Sequence, residues 1–342
     1  MCTAISSDWY FGRNLDIEHS YNEKVCITPR RYPFVFRNGK TFCEHYAIIG
    51  TATVVEGYPL YYDATNEKGL SIAGLNFPQN AVYYSESAEK ENIAPFELIP
   101  YILGCCSCVD EALEKIENIN IHNISFSEKL PLTPLHWILA DERRAVTLEP
   151  LKDGLKIYEN PVGVLTNNPP FDYHMNNLSN YISLTVDQPE NRFSDRLELK
   201  PCSLGAGAMG LPGDLSSPSR FVRAAFAKLN SVCGETEEEK VIGFFHNLRF
   251  VAQPKGLNRL QSGEYEFTLY SSCCNARRGI YYYTTCENSS VTAVDMHKHD
   301  LDSDKIAEFP LIRETRFLFQ KISRTAESLS AQSILFSAMI TA

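Results

Sequence analysis

The first two-thirds of the chain is rich in short segments whose composition is typical of β-strands, separated by turn signals. The N-terminal strands are predicted at Cys2–Ser6, Tyr10–Leu15, Lys24–Arg30, Tyr46–Val55 and Gly69–Leu75. Between the last two strands, Tyr58-Pro59 and the stretch from Asn66 to Gly69 indicate turns.

Helical spacing of apolar residues follows in the middle of the chain. Helices are predicted at Pro95–Leu103 and Val109–Ile119, and Ser107 is expected to cap the second of them. Strands then return at Leu135–Ala140, Ala145–Pro150, Leu155–Glu159 and Val162–Leu165.

The remaining pattern is a set of helices and a final set of strands. The helices are predicted at Asp172–Ile182, Ser219–Leu229 and Glu237–Val251. The strands are predicted at Tyr265–Ser272, Gly279–Thr285 and Val291–Asp295. This order predicts an α+β domain with helices outside stacked antiparallel sheets. The last segment, Arg313–Ala342, differs in composition and is expected to be a terminal helix or frayed chain.

Composition narrows the functional classes. The chain has 342 residues, 44% of them hydrophobic and 22% charged, which is ordinary for a globular protein. Its net charge of −10 disfavours nucleic-acid binding, because phosphate neutralisation requires a basic face. No secretory signal or membrane-spanning run is recognised, so we expect no membrane association and a bacterial cytoplasmic location.

The chain contains eleven cysteines, which we expect to be reduced thiols. Cys105, Cys106 and Cys108 include a CxxC spacing, but no second cysteine pair or histidine pair accompanies it. We therefore predict buried or helix-start cysteines there, and neither a metal site nor a cofactor.

One cysteine stands apart, because Cys2 directly follows Met1. If the methionine is removed, Cys2 carries a thiol and a free α-amine on one carbon skeleton. The ordinary pKa of an α-amine is roughly 7.7–8.0, so part of it is neutral near pH 7 and can accept the thiol proton. A nucleophile paired with a base in this way suits acyl transfer.

Two charged residues one hairpin away complete this chemistry. Arg13 can approach the thiol if the first two strands pair, and a guanidinium beside a thiol stabilises the thiolate. Asp16 can then accept a hydrogen bond from the α-amine. The alternative is an ordinary Arg-Asp surface pair, which contributes little.

Asn76 and Asn167 each lie where a predicted strand ends near a proline, and each could direct an N–H donor into a site. The alternative for both is a turn-forming asparagine. Arg220 follows Ser219, the expected helix cap, and faces either the site or solvent. His136 is interpreted as a packed core histidine, since the α-amine already provides the base.

These segments, in this order, resemble the choloylglycine hydrolase family, which includes bile salt hydrolases and penicillin V acylases of the N-terminal nucleophile superfamily. The resemblance rests on MCTA at 1–4, FGRNLD at 11–16, NEKGL at 66–70, AGLNFP at 73–78, LHW at 135–137, GVLTNNPPFDYH at 163–174, GLPGDLSSPSRFVR at 210–223 and GIYYYTT at 279–285. It covers residues 1–312, which we expect to form a single domain, whereas the tail 313–342 departs from the family.

The resemblance implies a four-layer αββα sandwich of two antiparallel sheets and a homotetramer. It implies catalysis by Cys2 after removal of Met1, without a cofactor. It also carries over the active-site set Cys2, Arg13, Asp16, Asn76, Asn167 and Arg220. Bile salt hydrolases tend to keep asparagine at the position of Asn76, whereas many penicillin V acylases have tyrosine.

The resemblance therefore favours conjugated bile acids as substrates, bound in an apolar groove. The candidate groove residues, each with a core alternative, are Leu15, Val55, Tyr62, Phe126, Leu130 and Leu135. Two other functions remain open: penicillin V acylase or another N-acyl amide hydrolase, and a non-catalytic small-molecule binding protein on the same fold.

Overall fold

The computed structural model describes residues 1–320. In chain order the strands are β1 (Cys2–Ser7), β2 (Tyr10–Ile17), β3 (Lys24–Thr28), β4 (Phe34–Val35), β5 (Thr41–Phe42), β6 (Ile48–Val55), β7 (Tyr58–Asn66), β8 (Ser71–Asn76), β9 (Glu91–Ile93), β10 (Ile119–Ile121), β11 (Leu135–Ala140), β12 (Ala145–Leu151), β13 (Gly154–Glu159), β14 (Val164–Leu165), β15 (Phe267–Asn275), β16 (Ile280–Thr285), β17 (Thr292–Asp295) and β18 (Ala307–Pro310). The α-helices are α1 (Leu98–Cys105), α2 (Val109–Glu117), α3 (Phe171–Asn177), α4 (Ser217–Asn230) and α5 (Glu237–Arg249).

Two large antiparallel sheets form the centre of the molecule. The first sheet has the strand order β14-β1-β2-β15-β16-β17, and the second has the order β13-β12-β11-β8-β7-β6-β3-β18. Helices α4 and α5 contact the first sheet, α1 contacts the second, and β1 and β2 contact β8 between the sheets. The layers are therefore helix, sheet, sheet, helix, which confirms the α+β architecture predicted from the sequence.

The two buried faces of the second sheet belong to two separate hydrophobic clusters. One cluster joins both sheets to α4 and α5, and includes Ala4, Leu75 and Phe221. The other lies beneath α1 and α2, and includes Ile72 and Trp137. Because β1 and β2 are interior strands, residues on them are fixed by packing on both sides.

The sequence analysis missed β7 and was wrong to place a turn at Tyr58-Pro59, whereas the turn predicted from Asn66 to Gly69 is present. The chain reverses earlier, at Glu56 and Gly57, which both have positive φ. Pro59 is tolerated near the start of β7 because β8 pairs with β7 only from Asp63 onward. The missing N–H of Pro59 therefore costs no ladder bond to β8.

Several other boundaries also differ from the predictions. Cys108, not Ser107, occupies the N-cap position of α2. Helix α4 begins at Ser217, so Ser219 is inside it rather than at its cap. The α-helix predicted from Asp172 to Ile182 ends at Asn177 and continues as a 3-10 turn.

The structure describes only the first part of the predicted C-terminal tail. Residues 313–320 contain no helix or strand, and the rest of the predicted tail, 321–342, lies outside the described residues. Within residues 1–320, no helix is long and apolar enough to cross a lipid bilayer.

Candidate active site

Cys2 opens β1 at a buried position between β14 and β2. It is 3% exposed, and its N–H donates to Oδ1 of Asn167 at 2.7 Å. On β2, Leu15 is its cross-strand partner, and Arg13 is the partner of Ala4. Cross-strand partners share a face of the sheet, so Cys2, Arg13 and Leu15 all face the second sheet.

Arg13 crosses the gap between the sheets. Its Nη1 donates to the carbonyl oxygens of Tyr62 at 2.9 Å and Gly74 at 2.6 Å. Its Nη2 forms no hydrogen bond with any of residues 1–320. Burial lowers the pKa of the guanidinium, but the Cys2 thiolate, Tyr270 and nearby carboxylates raise it above its ordinary value. Arg13 thus supplies a permanent positive charge beside the thiol.

The opposite face of β2 meets the helix layer. Asp16 lies on that face and accepts hydrogen bonds from Thr268 Oγ1 at 2.6 Å and Gln253 Nε2 at 3.0 Å. The Asp16 backbone pairs with Met1, the residue directly before Cys2. In this Met1-bearing chain, the N–H of Cys2 is bonded to Asn167 and not to Asp16.

Asn167 connects the parts of the site. Its Oδ1 accepts from Cys2 and from Arg220 Nη2 at 2.8 Å, and its Nδ2 donates to the carbonyl of Asn76 at 2.6 Å. Its backbone N–H donates to Ser217 Oγ, and its carbonyl oxygen pairs with His174 Nε2 at 2.9 Å. The side chain of Asn167 is therefore fixed in one orientation.

Arg220 reaches the same point from α4. Its Nη1 donates to the Cys2 carbonyl at 2.5 Å and to Thr3 Oγ1 at 2.6 Å, and its Nε donates to Leu215. Burial lowers the pKa of this guanidinium, while Asp16, Cys2 and Glu266 act in the opposite direction. Of the two options left open by the sequence, the structure selects the one in which Arg220 faces the site.

Glu266 is a site residue that the sequence analysis missed. The residue is 7% exposed, and its carboxylate forms an ion pair with the Met1 amine, which also donates to the Asp16 carbonyl at 2.8 Å. Burial raises the pKa of Glu266. Its position directly before β15 gives no local signal, because the contact depends on pairing between distant strands.

A cavity of about 570 Å³ opens beside Met1 and Asn167, the two residues that adjoin Cys2. Its wall includes Met1, Glu266, Asn76, Asn167 and Ser217. The volume is in the range of small-molecule sites. Because the side chain of Asn76 is exposed at this wall, the two predicted asparagines meet at the cavity.

The candidate groove residues are divided between two places. Leu15 lies across from Cys2, Leu135 lies across from Asn76, and the Tyr62 carbonyl binds Arg13. The others are Val55, at the β6–β7 turn, and Phe126 and Leu130, on the loop before β11. Tyr58 joins these two segments, since it pairs with Val55 and its ring lies 5.9 Å from that of Phe126.

His136 is buried, as expected. Its ring nitrogens bond Glu149 and the Thr166 carbonyl at 2.9 Å each, and the ring stacks on Phe77. His136 therefore supports the segment before Asn167 and does not reach Cys2. Among residues 1–320, no three His, Cys, Asp or Glu side chains are grouped so as to hold a metal ion.

Two antiparallel sheets between helix layers, with a cysteine at the first residue of an interior strand, define an N-terminal nucleophile hydrolase. Over residues 2–309 the chain matches the family described as linear amide C–N hydrolases, choloylglycine hydrolase family. The chain belongs to that family.

Its relatives span nearly the whole chain. The bile salt hydrolase/transferase of Lactiplantibacillus plantarum is 54% identical over 320 residues, which are 93% of this chain and 99% of the relative. The bile salt hydrolase/transferase of Clostridium perfringens is 38% identical, over 90% of this chain and 96% of the relative.

Solved structures agree with the fold. The crystal structure of a mutant conjugated bile acid hydrolase from Clostridium perfringens matches with a TM-score of 0.87 and 36% identity, covering 94% of this chain and all of that one. The penicillin V acylase from Agrobacterium tumefaciens matches with a TM-score of 0.71 at 19% identity over 91% of each chain, which shows a shared fold.

Proposed function

We propose that this amide hydrolase is a bile salt hydrolase, which cleaves the amide joining a bile acid to glycine or taurine. The observation that carries the proposal is the 54% identity, across almost the full length, to a relative named bile salt hydrolase/transferase. Bile salt hydrolases tend to have asparagine at the position of Asn76, and this residue therefore supports the same substrate class.

The reaction proceeds through a thioester. After Met1 is removed, the neutral α-amine of Cys2 takes the thiol proton, directly or through water. The thiolate attacks the amide carbonyl, and the oxyanion is held by the Asn167 side chain and the backbone N–H of Asn76. The C–N bond breaks, the ammonium returns its proton to the leaving amine, and water hydrolyses the thioester to release the bile acid.

Each of the other residues has a role in this scheme. Arg13 stabilises the thiolate from the gap between the sheets. Asp16, held by Thr268 and Gln253, orients the α-amine, and Arg220 supports the site electrostatically through Asn167. The apolar bile acid binds along Leu15, Val55, Tyr62, Phe126, Leu130 and Leu135. The scheme uses no metal or organic cofactor.

The thioester intermediate also accounts for the word transferase in the names of the relatives. An acyl group held on sulfur can be attacked by an amine instead of water, which transfers the acyl group to that amine. We include this transfer in the proposed function because the first two relatives above carry the name hydrolase/transferase.

Product release from glycocholate, taurocholate and penicillin V tests the proposal. The wild type should hydrolyse one or both bile salts faster than penicillin V, and Cys2→Ala should abolish turnover. Preference for penicillin V would establish the acylase alternative. Tight binding of bile salts without turnover, by protein whose mature N-terminus is confirmed as Cys2 by mass, would establish the binding-protein alternative.

We also propose a homotetramer. The connection between α3 and α4 carries large apolar side chains into solvent, and these are Ile182, Phe193, Leu204 and Met209, between 79% and 91% exposed. Such exposure in one segment is typical of an interface. Light scattering should give a mass near four chains, and charged residues at Phe193 and Leu204 should reduce it.

We further propose that the enzyme is located in the cytoplasm of a bacterial cell. All eleven cysteines are unpaired, as expected in a reducing compartment, and the relatives named above come from bacteria. Fractionation of the native host should recover the enzyme with cytoplasmic markers. Recovery in the secreted fraction would contradict this location.

A further inference from the structure

A buried carboxylate, Asp63, lies between the two sheets behind Arg13. It is 1% exposed on β7. Its Oδ1 accepts from Tyr270 OH at 2.6 Å, and its Oδ2 accepts from Tyr281 OH at 2.6 Å and Ser272 Oγ at 3.1 Å. Burial raises the pKa of Asp63, but the three hydroxyl groups that donate to it and the nearby Arg13 act in the opposite direction and favour the charged carboxylate.

The same network reaches Arg13 at three points. The backbone N–H of Arg13 donates to Ser272 Oγ at 3.1 Å. The Arg13 guanidinium is bonded to the carbonyl of Tyr62, which directly precedes Asp63, and to that of Gly74, which follows the cross-strand partner of Asp63. The two charges interact through space without a direct ion pair, and each affects the pKa of the other.

Burial of a single charge has a large desolvation free energy, and removal of one member of a buried pair normally leaves the other charge uncompensated. Around this polar network, the gap between the sheets contains apolar residues such as Ala4, Ile49 and Leu75. The presence of Arg13 and Asp63 in this gap is therefore not explained by packing alone, and a functional relation to the adjacent Cys2 thiol would explain it.

We propose that Asp63 is a positioning residue that shares the positive charge of Arg13 with the Cys2 thiolate, and so sets the pH range in which the nucleophile is charged. The inference builds on the proposed roles of Cys2 and Arg13. Tyr270, Tyr281 and Ser272 hold the charge of Asp63 in place, and Asp63 in turn orients and partly neutralises Arg13.

The groups that face this pair are few. Around Asp63 they are Arg13 from β2, Tyr270 and Cys274 from β15, and Tyr281 from β16. Around Arg13 they also include Cys2, Asp16 and Tyr62, and Arg220 is a second cation near Cys2. Burial raises the pKa values of Tyr270, Tyr281 and Cys274, so all three are neutral at working pH. Asp63 is thus the negative charge that competes with the thiolate for Arg13 from within the gap.

The variant Asp63→Asn removes this charge with little change in shape, and the hydroxyls around it can rotate to accept from the new amide. Arg13 should then act on the thiolate alone. We expect the acid limb of kcat/KM, and the pH of half-maximal alkylation of Cys2 by iodoacetamide, to move down by on the order of one pH unit. Mass analysis of the N-terminal peptide makes the alkylation specific to Cys2.

Two neighbouring tyrosines provide a matched pair of further variants. Tyr281→Phe removes a donor that lowers the pKa of Asp63, so the buried carboxylate takes up a proton more readily and its negative charge falls. Both profiles should therefore shift in the same direction by a smaller amount. Tyr282→Phe removes a hydroxyl that donates to Glu237 on the helix side of the same strand, and should shift neither. This comparison serves if Asp63→Asn does not fold.

Unshifted profiles in folded Asp63→Asn, or in Tyr281→Phe where Asp63→Asn does not fold, would overturn the proposal and leave Asp63 a purely structural residue. Equal shifts in both tyrosine variants would overturn it too. Alkylation does not require a substrate, so a failure of bile salt turnover would count against the proposed function and not against the role of Asp63.

Discussion

The Cys2 N–H and the Asn167 Oδ1 are joined by a hydrogen bond of 2.7 Å, and the same oxygen accepts from Arg220. Asn167 therefore fixes Cys2, the proposed nucleophile, while its Nδ2 points towards Asn76 and the cavity. The two functions expected of this amide, holding Cys2 and donating to an oxyanion, use its two different ends.

Asn167→Ala should lower kcat by about 10²–10³-fold, the usual cost of one oxyanion donor. Steady-state kinetics on glycocholate would measure it, with a thermal melt to confirm folding. Ser217→Ala serves as the comparison, since it loosens the Asn167 backbone but keeps the amide. A folded Asn167→Ala variant within about threefold of wild type would exclude the catalytic role.

Chain that retains Met1 should be inactive. With Met1 in place the Cys2 nitrogen is an amide, which cannot take a proton from the thiol, and the Met1 amine is bound to Glu266. Treating Met1-bearing protein with methionine aminopeptidase should raise activity in proportion to the fraction of free N-terminal cysteine seen by intact mass. Full activity before treatment would contradict the amine-base mechanism.

Acid should weaken the support behind Asn167. Burial lowers the pKa of His174 from 6.5 to about 4, and its Nε2 holds the Asn167 carbonyl. The unfolded chain gains a proton near pH 6.5 that the fold resists, so this contribution is complete above pH 6.5 and is lost as pH falls towards 4. The loss amounts to about 3 kcal/mol at most.

Urea midpoints measured at pH 7.5 and pH 4.5 test this sign. His174→Gln keeps a donor for the Asn167 carbonyl but has no titrating group, so its midpoint should fall less on acidification than that of the wild type. An identical fall in both proteins would assign acid sensitivity to other groups.

Gly12→Ala should prevent folding or strongly reduce the melting temperature. A Cβ at this position would lie 1.9 Å from the Ser272 carbonyl oxygen on the neighbouring strand β15. The clash involves backbone and cannot be relieved by rotation of a side chain. Gly154→Ala has open space around its Cβ but a positive φ, and should cost only the backbone strain, on the order of 1–3 kcal/mol. Comparable melts for the two variants would contradict this account.

We propose that residues 1–312 form one domain. Deletion of residues 321–342 should leave melting temperature and activity within error of the full chain, because the family match ends at residue 309. Deletion from residue 307 should be strongly destabilising, since it removes β18 from the edge of the second sheet and Leu311 from the core. Loss of folding in the shorter deletion would disprove the proposed boundary.

Local motifs were enough to propose several members of the candidate site, which the structure brings close together. Cys2, Arg13 and Asp16 come from one hairpin, and the Asn-Pro segment around Asn167 marks a strand end. Gln253 and Thr268, which hold Asp16, are more than two hundred residues away and carry no local signal.

The sequence analysis missed the buried carboxylate of Asp63 because it missed strand β7. The sequence analysis predicted no strand between the turn signals at Tyr58-Pro59 and at Asn66, so it gave Asp63 neither an element nor a role. Only the pairing of β7 with β6 and β8 directs this carboxylate towards the first sheet. Tyr270 and Ser272 on β15 share one face at a spacing of two, which is the pattern that could have signalled a polar lining.

The burial of the chain's first amine against Glu266 and Asp16 has a practical consequence for anyone producing this enzyme. An affinity tag, fusion partner or export leader left on the N-terminus would have to thread out beside the cavity and would deny Cys2 its free amino group. Purification handles therefore belong at the other end of the polypeptide, and an N-terminally tagged preparation becomes competent only where a protease cuts directly before the cysteine.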